Sequence, residues 1–499
     1  MKRFLFLLLL CLVFIPASAS SDCASEIDAF AAKLRTDWNI PGFSLTVIHN
    51  GETVLSKGYG VKTLGADSPM DGNTVLQIGS VSKSFTATLM AMMVDDGLVK
   101  WDDRVKDILP DFELKDKYIE DELRVCDIMT HKMGYWSQAM TYVPNVGYDA
   151  DDVYRMFAVL EPSYPFRDGM HYNNMAYIIA QKIIEKLSGL SWEENLSKRI
   201  FSPLRMTSSS CGKDGFLAAE NVASQHDMYR WKGNPRCSKI KGEGRALHWL
   251  TIVGPAGGIN CSSADLAAWA DFQMSGVAAD GKSIISREQL DYLHSGVAVS
   301  TQNNEKITLY GQGWYIEQNR NCRIYYHTGT TWGHAALCVF VPELELSFAM
   351  LFNAEISSRA RFALMRRIRD IYRDAPYRDY STEALNAWRK GGGGSSYKSG
   401  FTYKYSSAVR PASALCGRYS KEEPFGDAVI SQKDGKLFIT IGKYGWKHSL
   451  RHNKGNMYYF HSDGHRFSVR VSFRKDGKAR GFELDWGCGE KFGPWKKNE

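Results

Sequence analysis

Ile78-Gly79-Ser80-Val81-Ser82-Lys83-Ser84-Phe85-Thr86-Ala87 sets a serine three residues ahead of a lysine, at the mouth of an apolar run that continues through Val94 and stops at Gly97. If a buried helix begins at Ser80, Ser80 and Lys83 lie on one face, one turn apart. A serine hydroxyl is a poor nucleophile at neutral pH and needs a neighbouring base. A lysine taken out of water loses its proton more readily and can be that base. The helix N-terminus also turns backbone N–H groups towards an oxyanion formed at Ser80. The same spacing recurs at Ser238–Lys241 and Ser395–Lys398, but neither opens an apolar helix.

Two further stretches carry chemistry. Tyr172-Asn173-Asn174 follows a Phe166–Met170 turn and opens a helix, and no other tyrosine of the chain has an asparagine two residues on. A tyrosinate at Tyr172 near Lys83 would take the serine proton and return it to the leaving group. Asn174 would bind a substrate carbonyl. Tyr325-Tyr326-His327-Thr328-Gly329-Thr330 ends a strand, where Gly329 lets a substrate lie along the strand edge and the N–H of Thr330 completes an oxyanion hole with that of Ser80.

Order and context tie these pieces together. The chain resembles the serine β-lactamase and penicillin-binding superfamily, in the class C β-lactamase-like, D-peptidase and esterase branch, over roughly residues 24–375. The resemblance extends to Pro41-Gly42-Phe43-Ser44, Trp101-Asp102-Asp103, Ile128-Met129-Thr130-His131, Ser202-Pro203-Leu204, Gly257-Gly258-Ile259 and Tyr310-Gly311-Gln312-Gly313-Trp314, in family order. It implies Ser80 as acylated nucleophile, Lys83 as its partner, Tyr172 as general base and acid, and Asn174, His327, Thr328 and Gly329 as substrate-binding residues. The oxyanion hole is then the N–H groups of Ser80 and Thr330. No metal or other cofactor is implied. The chain departs from the β-lactamases and carboxypeptidases in carrying His327 where they carry lysine, and in Lys132-Met133 after the helix histidine. Histidine titrates near 6.5 when unperturbed. His327 is therefore expected to be neutral at pH 7 and to gain charge, and carboxylate substrates, towards pH 6.

Around this centre the chain reads as an α/β fold: a sheet built from both ends of the domain, flanked by helices, with a helical lobe between. The hairpin Phe43–Ile48/Thr53–Lys57 turns at Asn50-Gly51. Strands are expected over Gly313–Glu317, Cys322–His327, His334–Val341 and Leu346–Phe352. Helices are expected over Ser25–Trp38, with Ser25 as N-cap, and over Met175–Leu187, Leu266–Met274 and Arg359–Tyr372. The irregular aromatic segment Tyr135–Met170 is expected to wall a substrate cleft. Gly391–Ser396 marks a flexible linker. Short alternating runs beyond it, with Asp434-Gly435 and Asp476-Gly477 turns, predict a separate all-β module. The domains are then residues 1–19, a signal peptide; 20–388, the hydrolase; 389–405, the linker; and 406–499, a small lipocalin-like β-barrel expected to fold alone and to be dispensable for acylation.

At 499 residues, 44% apolar and 23% charged, the composition is that of a globular chain. Met1-Lys2-Arg3, an apolar run to Ile15 and Ala17-Ser18-Ala19 predict a leader cleaved near Ala19, hence a secreted or periplasmic protein. The net charge of +7 is uneven: residues 400–499 hold 19 Lys and Arg against 10 Asp and Glu. That tail suits contact with an anionic surface, and the division argues against a nucleic-acid-binding protein. Ten cysteines in an exported chain suggest disulfides, with Cys322–Cys338, Cys416–Cys488 and Cys211–Cys237 as the expected pairs. Asn195-Leu196-Ser197 and Asn260-Cys261-Ser262 are glycosylation sequons.

The function expected is that of a secreted serine hydrolase working through an acyl-enzyme on a small ester, a D-amino-acid peptide or a similar small-molecule substrate. The alternatives are a retired hydrolase fold used for binding or assembly, and a true β-lactamase or D-Ala-D-Ala carboxypeptidase. Oligomeric state is left open.

Overall fold

The computed structural model describes residues 17–137, 139–240, 244–302, 306–318, 322–391, 410–462, 465–485 and 491–498. The leader, apart from its last residues, and most of the linker lie outside them. The body is organised on an eight-stranded sheet. Its order is Glu52–Gly60, Gly42–His49, Leu346–Phe352, His334–Val341, Arg323–Thr331, Tyr315–Gln318, Ile307–Tyr310 and Ala298–Gln302. Every ladder in it is antiparallel. The two ends of the domain meet where Gly42–His49 pairs with Leu346–Phe352, with Leu45 opposite Met350.

The central strands read as unbroken apolar runs because both faces are covered. In His334–Val341, Leu337 and Val339 join the core on one face and Ala336, Cys338 and Phe340 the core on the other. The first core lies under the helices Ala17–Asp37, Ser358–Ile371 and Tyr380–Lys390. The second extends through the Ser263–Ser275 helix into the helical lobe. The Ser82–Asp95 helix is buried from Ser82 to Met93, as an all-round apolar sequence requires. Its hydroxyls are each given a partner: Thr86 Oγ1 donates to the carbonyl of Pro255 (2.7 Å), and Ser84 Oγ accepts from Trp269 Nε1 (3.1 Å). The chain leaves it at Gly97, whose φ of 71° falls in the left-handed region.

Residues 417–497 form a closed eight-stranded barrel, Gly417–Ser420 pairing with Lys491–Lys497 to seal it. It is a separate all-β domain, but it is docked. Tyr148 Oη donates to the carbonyl of Phe425 (2.7 Å), and Ser462 Oγ to that of Asn145 (2.7 Å). Lys443 pairs with Asp149. One apolar cluster runs from the helical lobe into the barrel interior.

Several expectations are corrected. The first helix begins at Ala17, not at a Ser25 cap. The Tyr380–Lys390 helix carries Arg389 and Lys390, which sequence placed in the linker. Cys322 and Cys338 are free thiols on opposite faces of the sheet, and Cys211 and Cys237 are free and pack against different cores. Cys488 lies outside the described residues, so its pairing with Cys416 is not described. Both sequon asparagines are buried. Asn195 Nδ2 donates to Ser188 Oγ (2.9 Å) and Asn260 Nδ2 to the carbonyl of Gly212 (2.9 Å), so neither amide is presented for glycosylation.

Candidate active site

Ser80 sits in a single 3-10 turn, Gly79–Val81, that feeds the Ser82–Asp95 helix. The short strand Leu76–Gln77 delivers it, pairing with Ile259–Cys261. Gly79 has a φ of 52°, a conformation costly for any residue with a Cβ. A Cβ there would also stand 2.8 Å from Thr330 N. Conversely, a Cβ on Gly329 would stand 1.7 Å from the carbonyl oxygen of Ile78 and 3.2 Å from Ser80 N. The two glycines thus let the Arg323–Thr331 strand lie directly on the Gly79–Val81 turn. The amide nitrogens of Ser80 and Thr330 come to neighbouring positions.

Lys83 is fully buried. Its Nζ lies 2.7 Å from Asn174 Oδ1, 2.9 Å from the carbonyl of Ala256 and 3.3 Å from Ser80 Oγ. Burial holds its pKa well below the usual lysine value, since no carboxylate is at hand to compensate for lost water. A neutral amine has two hydrogens and one lone pair. Two of its three neighbours, the Asn174 amide oxygen and the Ala256 carbonyl, can only accept. The two hydrogens go to them, and the lone pair is left facing the Ser80 hydroxyl.

The Tyr172 ring lies 4.6 Å from Lys83 Nζ, and Ser80 is near enough to act on its hydroxyl. Burial raises its pKa well above 10, so at rest it is a phenol and not the tyrosinate expected from sequence. Asn173 and Asn174 divide their tasks. Asn173 Oδ1 accepts from the N–H groups of Met175 (2.8 Å) and Ala176 (3.1 Å), capping the Ala176–Ser188 helix, and so aims Asn174 at Lys83.

His327 is nearly fully buried and is not the pH-6 switch expected from sequence. Its Nδ1 lies 2.7 Å from the carbonyl of Thr328, which can only accept, so the proton sits on Nδ1. Nε2 then accepts from Tyr310 Oη at 3.1 Å. Burial, and then nearby Lys83, push its pKa down to about 3. It stays neutral at pH 6, and both ring nitrogens are engaged. Thr328, by strand alternation, faces away from His327.

Sequence reasoning did not identify the Ala256 carbonyl or Glu355, and quoted His131 as a landmark without giving it a role. The His131 ring lies tilted against Tyr172, centroids 4.3 Å apart, and its Nδ1 accepts from the N–H of Asn173 (3.1 Å). A cleft of about 210 Å³ opens beside Asn174 and Thr330, walled by Thr141, Tyr142, Trp249 and Trp332 and edged by Glu355. Thr141 and Tyr142 belong to the aromatic segment expected to wall it. Among the described residues, no group of three or more His, Cys, Asp or Glu could hold a metal ion.

The family model described as Beta-lactamase matches residues 27–373. Penicillin-binding protein 4 of Amycolatopsis lactamdurans is 26% identical, over 65% of this chain and 84% of its own length. Unguisins hydrolase ungD' of Aspergillus campestris is 25% identical over 65% of this chain, which spans only 60% of that relative. Among solved structures, the octameric penicillin-binding protein homologue from Pyrococcus abyssi superposes with a TM-score of 0.60 at 20% identity, covering 92% of this chain and 97% of that one. SurE gives 0.57 at 18% identity, covering 96% and 99%. These two likenesses speak to the fold.

Proposed function

We propose that this chain, which belongs to the Beta-lactamase family, hydrolyses small esters or peptide-like amides through an acyl-enzyme formed on Ser80. The observation that carries the proposal is the partnering of Lys83: two acceptors take its hydrogens and its depressed pKa leaves a lone pair for the Ser80 hydroxyl. Ser80 Oγ attacks the acyl carbon while its proton passes to Lys83 Nζ. The N–H groups of Ser80 and Thr330 face the oxyanion. The Tyr172 phenol hands a proton to the leaving ester oxygen or amide nitrogen and is reprotonated from Lys83. Water then attacks the acyl-enzyme with Lys83 again as base, which restores Ser80.

A role in β-lactam or C-terminal carboxylate recognition is disfavoured, because neither His327 nor Lys83 offers a charge to a carboxylate. The names of the relatives, one a hydrolase and one a penicillin-binding protein, accord with acyl transfer. The retired-fold alternative has no use for four interlocked groups. The basic, apolar N-terminal leader makes the enzyme an exported one on this reading.

A fluorophosphonate probe tests the proposal. It is expected to label the wild type on Ser80 and to leave Ser80→Ala unlabelled. Undiminished labelling of Ser80→Ala would remove Ser80 from the nucleophile's place.

A further inference from the structure

We propose that Glu355 forms an ammonium-binding subsite in the cleft, selecting substrates that carry a free amine close to the scissile acyl group. The inference rests on the hydrolase reading above.

Glu355 edges the same cleft as Asn174 and Thr330. It is held there by its backbone, whose N–H donates to the carbonyl of His226 (3.1 Å). Its carboxylate is half-buried, yet among the described residues it has no hydrogen-bond or ion-pair partner. The adjacent cation is already committed. Arg361 Nη1 donates to the carbonyls of Gly329 (2.7 Å) and Ala336 (2.8 Å), and Nη2 to Thr330 Oγ1 (3.2 Å). A second carboxylate, Asp227, acts on Glu355 from the neighbouring strand. Burial, Asp227 and, in the opposite direction, Arg361 together bring the Glu355 carboxyl up to about 7.

Apart from Arg361, whose guanidinium is turned to Gly329, Ala336 and Thr330, the groups around Ser80 add no positive charge. Lys83 is held towards its neutral form and His327 is neutral. Among the described residues lining the cleft, Glu355 is the one that is acidic or basic, and a bound ammonium would favour its ionised form. Trp249 and Trp332, in edge contact at 5.3 Å, wall the same space, and aromatic faces also favour a cation. An ammonium entering here would give Glu355 the partner it lacks. A substrate carboxylate would meet a like charge.

The test compares three p-nitroanilides in wild type, Glu355→Gln and Glu355→Lys. They are alanyl (both enantiomers), its isostere isobutyryl, in which a methyl replaces the ammonium, and a malonyl analogue. In wild type the better alanyl enantiomer should exceed isobutyryl in kcat/KM by about 10–100-fold, the range for a hydrogen bond to a charged group. That ratio should fall towards one in Glu355→Gln, and Glu355→Lys should turn the preference towards malonyl. Fluorophosphonate labelling of Ser80 in each variant checks that the site is folded.

A wild-type ratio of one or less overturns the subsite, as does a ratio that survives Glu355→Gln. If no anilide is turned over and Ser80 is not labelled, the hydrolase reading fails by itself. The subsite is then decided by calorimetric binding of alaninamide against isobutyramide to wild type and Glu355→Gln, with the same ratios expected.

Discussion

At the scale of single residues, the proposed acylation depends on Lys83 being uncharged inside the fold. Unfolded, Lys83 binds a proton at any pH below about 10.4. Folded, burial lowers that pKa, so between the folded and unfolded values it is neutral. Wherever this holds, the unfolded state carries one more proton, so stability rises with pH by up to about 1.4 kcal/mol per unit. Lys83→Met removes this dependence, at the cost of leaving Asn174 Oδ1 and the Ala256 carbonyl without their donor. Turnover should fall by at least about 10²–10⁴-fold, as for loss of a positioned general base. Urea unfolding at pH 7, 8 and 9 should show wild type gaining on the variant as pH rises. Parallel stabilities would mean that Lys83 is charged in the folded protein, and Lys83 would lose its role as base. In the sequence Ser80 with Lys83, and Tyr172 with Asn174, stand out as two local pairs, and the family resemblance joins them. The sequence could not show the charge states of Tyr172 and His327, which burial sets. Nor could it show Glu355, whose place in the cleft depends on the return of the chain after its last body strand.

At the scale of elements, the decisive contact is between the Arg323–Thr331 strand and the Gly79–Val81 turn. Both glycines were visible as motif letters, but the strand was expected to end at His327 and runs on through Gly329 to Thr331. The contact of strand with turn was not visible, since more than 200 residues separate them. The same limit explains the disulfide error. Cys322 and Cys338 flank a hairpin in sequence, but strand alternation sends them to opposite cores. The edge strands Ala298–Gln302 and Ile307–Tyr310 lack a clean two-residue alternation and were not anticipated. Gly329→Ala tests the contact. Its Cβ would meet the Ile78 carbonyl oxygen at 1.7 Å, which the backbone can relieve only by parting strand from turn. A loss of about 1–3 kcal/mol is expected, as for overpacking, together with loss of Ser80 labelling even below the new melting temperature. Retained labelling at full rate would show that the oxyanion site does not need this approach.

At the scale of the whole molecule, the barrel bears on the cleft through one segment. Thr141 and Tyr142 line the cleft, and the residues just after them are held by the barrel. Asn145 accepts from Ser462, Gly147 accepts from the N–H of Tyr444 (3.2 Å), Tyr148 donates to Phe425, and Asp149 pairs with Lys443. His248, next to the cleft residue Trp249, is in edge contact with Tyr444 at 4.9 Å and Trp446 at 5.0 Å. Trp249 Nε1 in turn donates to the carbonyl of Thr141 (2.7 Å). The wall of the cleft is built by the body and braced from behind by the barrel, while Ser80, Lys83, Tyr172 and Asn174 are held within the body. A chain ending at Lys390 separates the two contributions. It is expected to fold and to label on Ser80, because Ser80, Lys83 and the Ser80 and Thr330 amides of the proposed site need nothing from the barrel. Its kcat/KM towards a substrate that fills the cleft should fall about 10-fold or more, mostly through KM, since a loosened wall removes positioning rather than chemistry. Adding the purified barrel at high concentration should restore part of that loss. Kinetics equal to those of the full chain would mean that the 141–149 segment holds itself. A folded body that fails to label would place the barrel within the catalytic assembly.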